Sequence, residues 1–231
     1  MLRLLVFDLD GTLIDSRVDL CNSVNATLTH LGRPALPEAV ISGYIGDGAG
    51  MLVRRALGDP EGDIHDEEYV TNAIAYFLDY YREHKLDFTY VYPGVLESLE
   101  AIQAAHPHLP MAVLTNKPVI PSREICTHFG LDRFFFQNYG GNSFHVKKPD
   151  PHGLMTLMRE AGERLGHAVT PIETLMIGDS DVDVLTAKNC GALSLGCGFG
   201  LAPERLKAAG PKITVSSASE WPEAIAGLAG A

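Results

Sequence analysis

Short apolar runs that stop abruptly at a polar residue or a glycine recur along the chain. "LRLLVF" ends at Asp8, "PMAVL" at Thr115 and "ETLMI" at Gly178, while "FFFQNYGG", "ALSLGCG" and "KITVSS" have the same character. A short unbroken apolar run suits a strand covered on both faces, as in a parallel sheet. Between these runs lie stretches with apolar residues at helical spacing: Gly94 to Ala105 (Val95, Leu96, Leu99, Ile102), Pro121 to Phe129, Pro151 to Leu165 and Asp181 to Asn189. Alternating strand and helix predicts an α/β fold, a Rossmann-like open parallel sheet with helices on both faces.

One interval breaks the alternation. From about Val18 to Leu86 the only periodicity is helical, in "VDLCNSVNATLTHLG", "GMLVRRALG" and "EEYVTNAIAYFLDYYREHK". An all-helical module is therefore expected at residues 17–86, inserted into a sheet domain made of residues 1–16 and 87–231. "DFTYVYPGV" carries the chain back, with Pro93-Gly94 as a turn before the next helix.

Charge and composition narrow the class. With 18 Lys and Arg against 29 Asp and Glu the net charge is -11, and no basic run relieves it, so nucleic acid and anionic membrane are not expected partners. The four cysteines are far apart, without a C-x-x-C pair, which fits a reducing, cytoplasmic setting and suggests neither a zinc nor a redox site. Asp8 and Asp10 interrupt any signal-peptide core, and no apolar run is long enough to span a bilayer.

The polar residues that end the apolar runs hold the chemistry. Asp8 and Asp10 leave the first strand in "DLDGT", where one carboxylate can act as nucleophile or metal ligand and the other can exchange a proton. Thr115 and Asn116, in "LTNK", offer a hydroxyl and an amide to phosphoryl oxygens. "KKPDP" offers a lysine as a point charge beside a loop fixed by proline. "GDSDVD" imitates the start of a calcium-binding EF-hand loop, but Val184 and Cys190 occupy positions that need glycine and glutamate. If a helix starts there instead, Asp179 and Asp183 share a face at i and i+4, and Asp181 points away into solvent. All four groups sit at expected strand ends, which one sheet edge gathers. Carboxylates, a lysine and hydroxyl or amide donors suit a hard divalent cation, Mg2+, and a phosphoryl group.

In these segments the sequence resembles the haloacid dehalogenase superfamily, and its phosphatases in particular. "FDLDGTLID", "LTNK", "KKPDP" and "GDSDVD" are similar to that superfamily's motifs, in order. The helical insert resembles its cap domain. The resemblance implies that Asp8 attacks phosphorus to form an aspartyl-phosphate, while Asp10 protonates the leaving oxygen and later deprotonates water. It implies that Mg2+ is held by Asp8, the Asp10 main-chain carbonyl and Asp179, with Asp183 positioning the metal's water shell. Thr115 and Asn116 would bind the transferring oxygens, and Lys148, next to the proline, would neutralise nucleophile and phosphate, with Lys147 the lesser partner. Dehalogenation is disfavoured because those relatives lack the second aspartate, which is present here as Asp10.

Within the superfamily, "TNKP", "GYIGDGAGMLVRRAL" and "YPGV" are most similar to phosphoglycolate phosphatases, which implies a small phosphorylated metabolite as substrate. A phosphomutase on the same fold, of the β-phosphoglucomutase kind, is the alternative enzyme. The glycine-rich "GYIGDGAG" raises a third reading, a nucleotide-binding regulatory module, but Met51 stands where a dinucleotide fingerprint needs its third glycine. The loop is instead expected to meet the substrate from the cap through Gly46, Asp47, Gly48 and Arg55, where an acid at position 47 would oppose a substrate carboxylate.

Overall fold

The computed structural model describes residues 1–59 and 67–229, so residues 60–66 of the expected insert lie outside the described residues. In chain order the strands are β1 (Leu4–Phe7), β2 (Ile14–Asp15), β3 (Tyr90–Val91), β4 (Met111–Leu114), β5 (Gln137–Tyr139), β6 (Thr174–Gly178), β7 (Leu193–Cys197) and β8 (Ile213–Val215). The helices are α1 (Arg17–His30), α2 (Glu38–Ser42), α3 (Ala49–Ala56), α4 (Glu67–His84), α5 (Val95–Ala105), α6 (Val119–His128), α7 (His152–Leu165), α8 (Asp181–Cys190), α9 (Pro203–Ala209) and α10 (Trp221–Ala229).

Six strands form one parallel sheet in the order β5-β4-β1-β6-β7-β8. Each apolar run read as a strand contributes to it. Because side chains alternate across a strand, the central runs divide between two cores. Leu5, Phe7, Val113 and Ile177 join the core that includes α5 and Trp221 of α10, whereas Leu4, Val6, Leu114 and Met176 pack with Leu154, Leu157 and Ala161 of α7. All four residues of β1 are fully buried. At roughly 1.5–3 kcal/mol for each large apolar side chain buried, this central strand anchors both layers.

β1 lies between β4 and β6, so the chain leaves it toward one side of the sheet and later returns to the other. Such a reversal opens a crevice at the carboxyl ends of the strands. Asp8, Thr115 and Asp179 each lie immediately beyond the last residue of β1, β4 and β6 respectively.

Helices α1 to α4 bury their apolar faces in a third cluster drawn from residues between Leu20 and Tyr81. Two chain crossings join this helical unit to the sheet. There β2 and β3 pair antiparallel, Ile14 with Val91 and Asp15 with Tyr90. The buried Asp19 carboxylate accepts bonds from the Phe88 and Thr89 amides and the Thr89 hydroxyl, tying the first turn of α1 to the returning strand. Neither this ribbon nor helices α9 and α10 figure in the sequence expectations. Pro203 in the first turn of α9 and Gly210 just past its end are signals that could have found that helix.

Candidate active site

Asp8 is still held in the ladder, its amide donating to the Ile177 carbonyl at 2.8 Å. The chain then turns at once: the amides of Leu13 and Ile14 both donate to the Leu9 carbonyl. Gly11 makes this turn with φ +84°, and a Cβ there would lie 2.1 Å from Asp179 Oδ2, so the loop seats against Asp179 only because it has no side chain. Gly200 closes the same carboxylate from the other side, where a Cβ would lie 2.2 Å from Asp179 Cβ.

Asp8, Asp179 and Asp183, all buried, each bring a carboxylate oxygen within 4.8 Å of the others. The second pair meets differently from the i, i+4 expectation. Asp179 lies beyond β6, before the helix, whose first residue is Asp181. Ser180 is the N-cap, and Asp183 is the third helical residue of a capping box, with Oδ2 accepting from the Ser180 amide and hydroxyl. Capping leaves its other oxygen to Lys148, whose Nζ lies 2.6 Å from Asp183 Oδ1 and 3.0 Å from Asp8 Oδ1. Asp181 is not simply solvated: its Oδ1 lies 2.8 Å from Arg205 Nε.

The electrostatics of this cluster suit a cation. Burial lifts the Asp8 pKa to about 6 against the opposing pull of Lys148, with Asp183 and Asp10 adding to the rise. Burial, then Asp183 and Asp8, hold the Asp179 carboxyl well above its ordinary value. Burial also works against the Lys148 ammonium, but Asp183 and Asp8 outweigh it and keep that pKa raised. One lysine among three carboxylates leaves negative charge in excess, and an oxygen-only donor set fits a hard divalent ion.

Asp10 turns away from that cluster. Its carboxylate receives Lys117 Nζ at 3.0 and 3.2 Å, and the Ser16 hydroxyl donates to Oδ1. Ser16 is absent from the sequence expectations, and Lys117, although part of "LTNK", has no role there. Thr115 is buried, with its Oγ1 accepting from the Lys117 amide. The Asn116 side-chain amide, expected to hold phosphoryl oxygens, donates to the carbonyls of Gly46 at 3.1 Å and Lys148 at 2.9 Å. Both of its hydrogens are thus engaged, which leaves its main-chain N–H for an anion.

The bond to Gly46 brings the glycine-rich loop down on the sheet edge. Lys147 Nζ donates to the Asp47 carbonyl and Arg205 Nη1 to the Ile45 carbonyl. Gly48, at φ +85°, sits so near that a Cβ would lie 2.9 Å from the Asn116 carbonyl oxygen. Below the loop is a cavity lined from the sheet edge by Asp8, Asp10, Thr115, Asn116 and Lys117, and from the helical unit by Leu20, Gly46, Gly48, Leu52, Phe77 and Tyr81, among others. Asp47 and Arg55 do not line it. They pair with each other at 2.6 Å, and Arg205 reaches the same Asp47 oxygen at 3.4 Å. The acid at position 47 is therefore paired with two arginines rather than facing the cavity.

A parallel sheet whose strand ends gather an aspartate pair, a lysine and further aspartates, under a helical insert, defines a hydrolase of the haloacid dehalogenase type. The chain belongs to that family: residues 5–197 match the model of haloacid dehalogenase-like hydrolases. Its sequence and fold closely resemble phosphoglycolate phosphatases. It is 36% identical over 228 residues to the phosphoglycolate phosphatase of Vibrio parahaemolyticus, covering 97% of this chain and 96% of the relative. It is 40% identical over 201 residues to that of Pseudomonas putida, covering 86% and 70%. The crystal structure of a predicted phosphoglycolate phosphatase from Haemophilus somnus superposes with a TM-score of 0.86 at 29% identity, covering 97% of this chain and 98% of that one. Among the described residues no helix is long and apolar enough to cross a membrane.

Proposed function

We propose that this hydrolase is a Mg2+-dependent phosphomonoesterase whose substrate is 2-phosphoglycolate, cleaved to glycolate and phosphate. The observation that carries the reaction class is Lys148, in ionic contact with Asp8 and Asp183 at a cluster of three carboxylates, with Asp8 also opening onto the cavity. The named phosphoglycolate phosphatases that align with nearly the whole chain support the substrate.

In this reading an Asp8 oxygen attacks phosphorus and the P–O bond to the alcohol breaks, its oxygen taking the proton of the Asp10 carboxyl. Asp10 then removes a proton from water, which attacks the aspartyl-phosphate, releasing phosphate and restoring the Asp8 carboxylate. Lys148 neutralises nucleophile and phosphoryl oxygens, and Thr115 Oγ1 with the Asn116 main-chain N–H orients them. The carboxylates of Asp8 and Asp179 with the Asp10 carbonyl would hold Mg2+, and Asp183 supports them. Bound there, the ion adds positive charge against the phosphoryl group. Residues 17–86 serve as the cap and residues 1–16 with 87–231 as the catalytic part. The roles of Gly46 and Gly48 are to let the cap loop seat, while Asp47 and Arg55 hold its shape.

The test is phosphate release from a panel of phosphoglycolate, sugar phosphates and nucleoside monophosphates, with Mg2+ and with EDTA. The expected outcome is the highest kcat/KM for phosphoglycolate and none in EDTA. Equal turnover of the sugar phosphates overturns the substrate, and accumulation of a bisphosphate without phosphate release favours a mutase.

A further inference from the structure

The cavity contains a polar group that the reaction above does not use. Tyr81, on α4, is 3% exposed and lines the cavity, and its hydroxyl has no partner at good hydrogen-bond geometry, although the Lys117 ammonium lies close beside it. A buried hydroxyl without a partner costs stability, and in a native pocket such a group invites a ligand. Replacement by phenylalanine would remove that cost without changing shape.

What surrounds the hydroxyl says what the ligand must be. Lys117 Nζ lies over the Tyr81 ring, 4.5 Å from its centre. Across the cavity Gly48 and Ala49 begin α3, and the N-cap Gly48 has no side chain to cover the first amides of that helix. A hydroxyl, an ammonium that is shared with Asp10 and helix N-terminal amides are all donors. The rest of the cap wall, Leu20, Leu52 and Phe77, is apolar, and a cavity of about 40 Å³ suits a short ligand. Burial pushes the Tyr81 pKa up to about 12, so the hydroxyl keeps its proton to donate.

We infer that Tyr81 is a specificity-determining residue whose hydroxyl, with Lys117 and the first amides of α3, binds the carboxylate at the far end of a short phosphate ester. The inference rests on the substrate reading above and deepens it, because it assigns the acid group of the substrate to named donors. Arg55, a nearby cap cation, is engaged by Asp47.

The test separates binding from turnover. The Mg2+-loaded full chain, unmodified and as Tyr81→Phe, is titrated calorimetrically with 3-phosphonopropionate, an uncleavable acid-bearing analogue, and with propylphosphonate, which lacks the acid. The unmodified protein should bind the acid analogue at least about tenfold more tightly, and Tyr81→Phe should lose about tenfold for that analogue alone. Its Tm should not fall. Equal affinity for both analogues, no binding of the acid analogue, or a parallel loss on both in Tyr81→Phe overturns the inference. Phosphate release from phosphoglycolate is measured separately: its absence overturns the hydrolytic reading, while the titrations still judge Tyr81.

Discussion

The Lys117 ammonium grips both oxygens of the Asp10 carboxylate, at 3.0 and 3.2 Å, from a position 107 residues further along the chain. With Ser16 bonded to one of the same oxygens, Asp10 is fixed in direction before a substrate arrives. Orientation of that kind is what general acid–base catalysis requires of an acid, the role proposed for Asp10.

Lys117→Met should therefore lower kcat by about 10²-fold, within the range that a positioned acid or base contributes. Adding Asp10→Asn should cost little more, because the two residues act as a unit. Steady-state phosphate release by the single and double variants checks this, and full additivity would uncouple them.

Asp8→Asn should abolish turnover, by about 10⁴-fold or more, while circular dichroism stays that of the unmodified protein. Lys148 keeps its contact with Asp183 in that variant. Substantial residual hydrolysis would remove Asp8 as the nucleophile.

The carboxylate cluster predicts opposite pH trends without and with metal. The Asp8 pKa rises from 3.8 to about 6 on folding, so between those values the metal-free fold holds more protons than the unfolded chain. Its contribution to stability is full below that window and declines as pH rises through it, and Asp179 acts in the same direction. Mg2+ needs the ionised carboxylates, so its binding weakens as pH falls through about 6. Thermal melts in EDTA and in Mg2+ should show a Tm gap that widens with rising pH, and a constant gap would contradict the metal assignment.

Arg205→Ala should raise KM roughly three- to tenfold and speed amide exchange at residues 45–48, because it removes contacts to Ile45 and Asp47. The partly exposed ion pairs it breaks are worth about 1 kcal/mol or less, so Tm should barely move. Unchanged exchange would show that the loop seats without Arg205.

Gly48→Ala combines a strained φ of +85° with a Cβ 2.9 Å from the Asn116 carbonyl. A stability loss of about 1 kcal/mol is expected, with a larger loss in kcat/KM because the loop cannot seat fully. A denaturant melt beside the kinetic assay separates the two effects.

The parts of this molecule that sequence makes legible are local. An apolar run such as "ETLMI" announces a buried strand, and the residue that ends it announces the sheet edge. The haloacid dehalogenase likeness follows from three such edges in order and a lysine segment in the loop beyond β5. What stays hidden is set by partners far away in the chain: Lys117 reads as a loop lysine until Asp10 is placed beside it, and Arg205 as a surface residue until Asp47 is. The same distance effect hides the partner of Arg55, since a cation eight positions from an aspartate gives no sign that the two will pair. Asp183 shows the reverse error, in which a plausible helix-face geometry gives way to a cap because Ser180 and Asp183 have the spacing of a capping box.

The central place of β1 also governs the order in which the chain becomes structured. Arg3 bonds Glu173, 170 positions away, and β1 pairs with β4 and β6, both made long after it. The helices between Leu20 and Tyr81 need no such wait, since their apolar cluster draws on their own residues. Contacts of long sequence separation form slowly and leave apolar strands uncovered meanwhile. A chain emerging from the ribosome can therefore close its helical unit early, while β1 needs cover until β6 emerges and Asp179 takes its place beside Asp8.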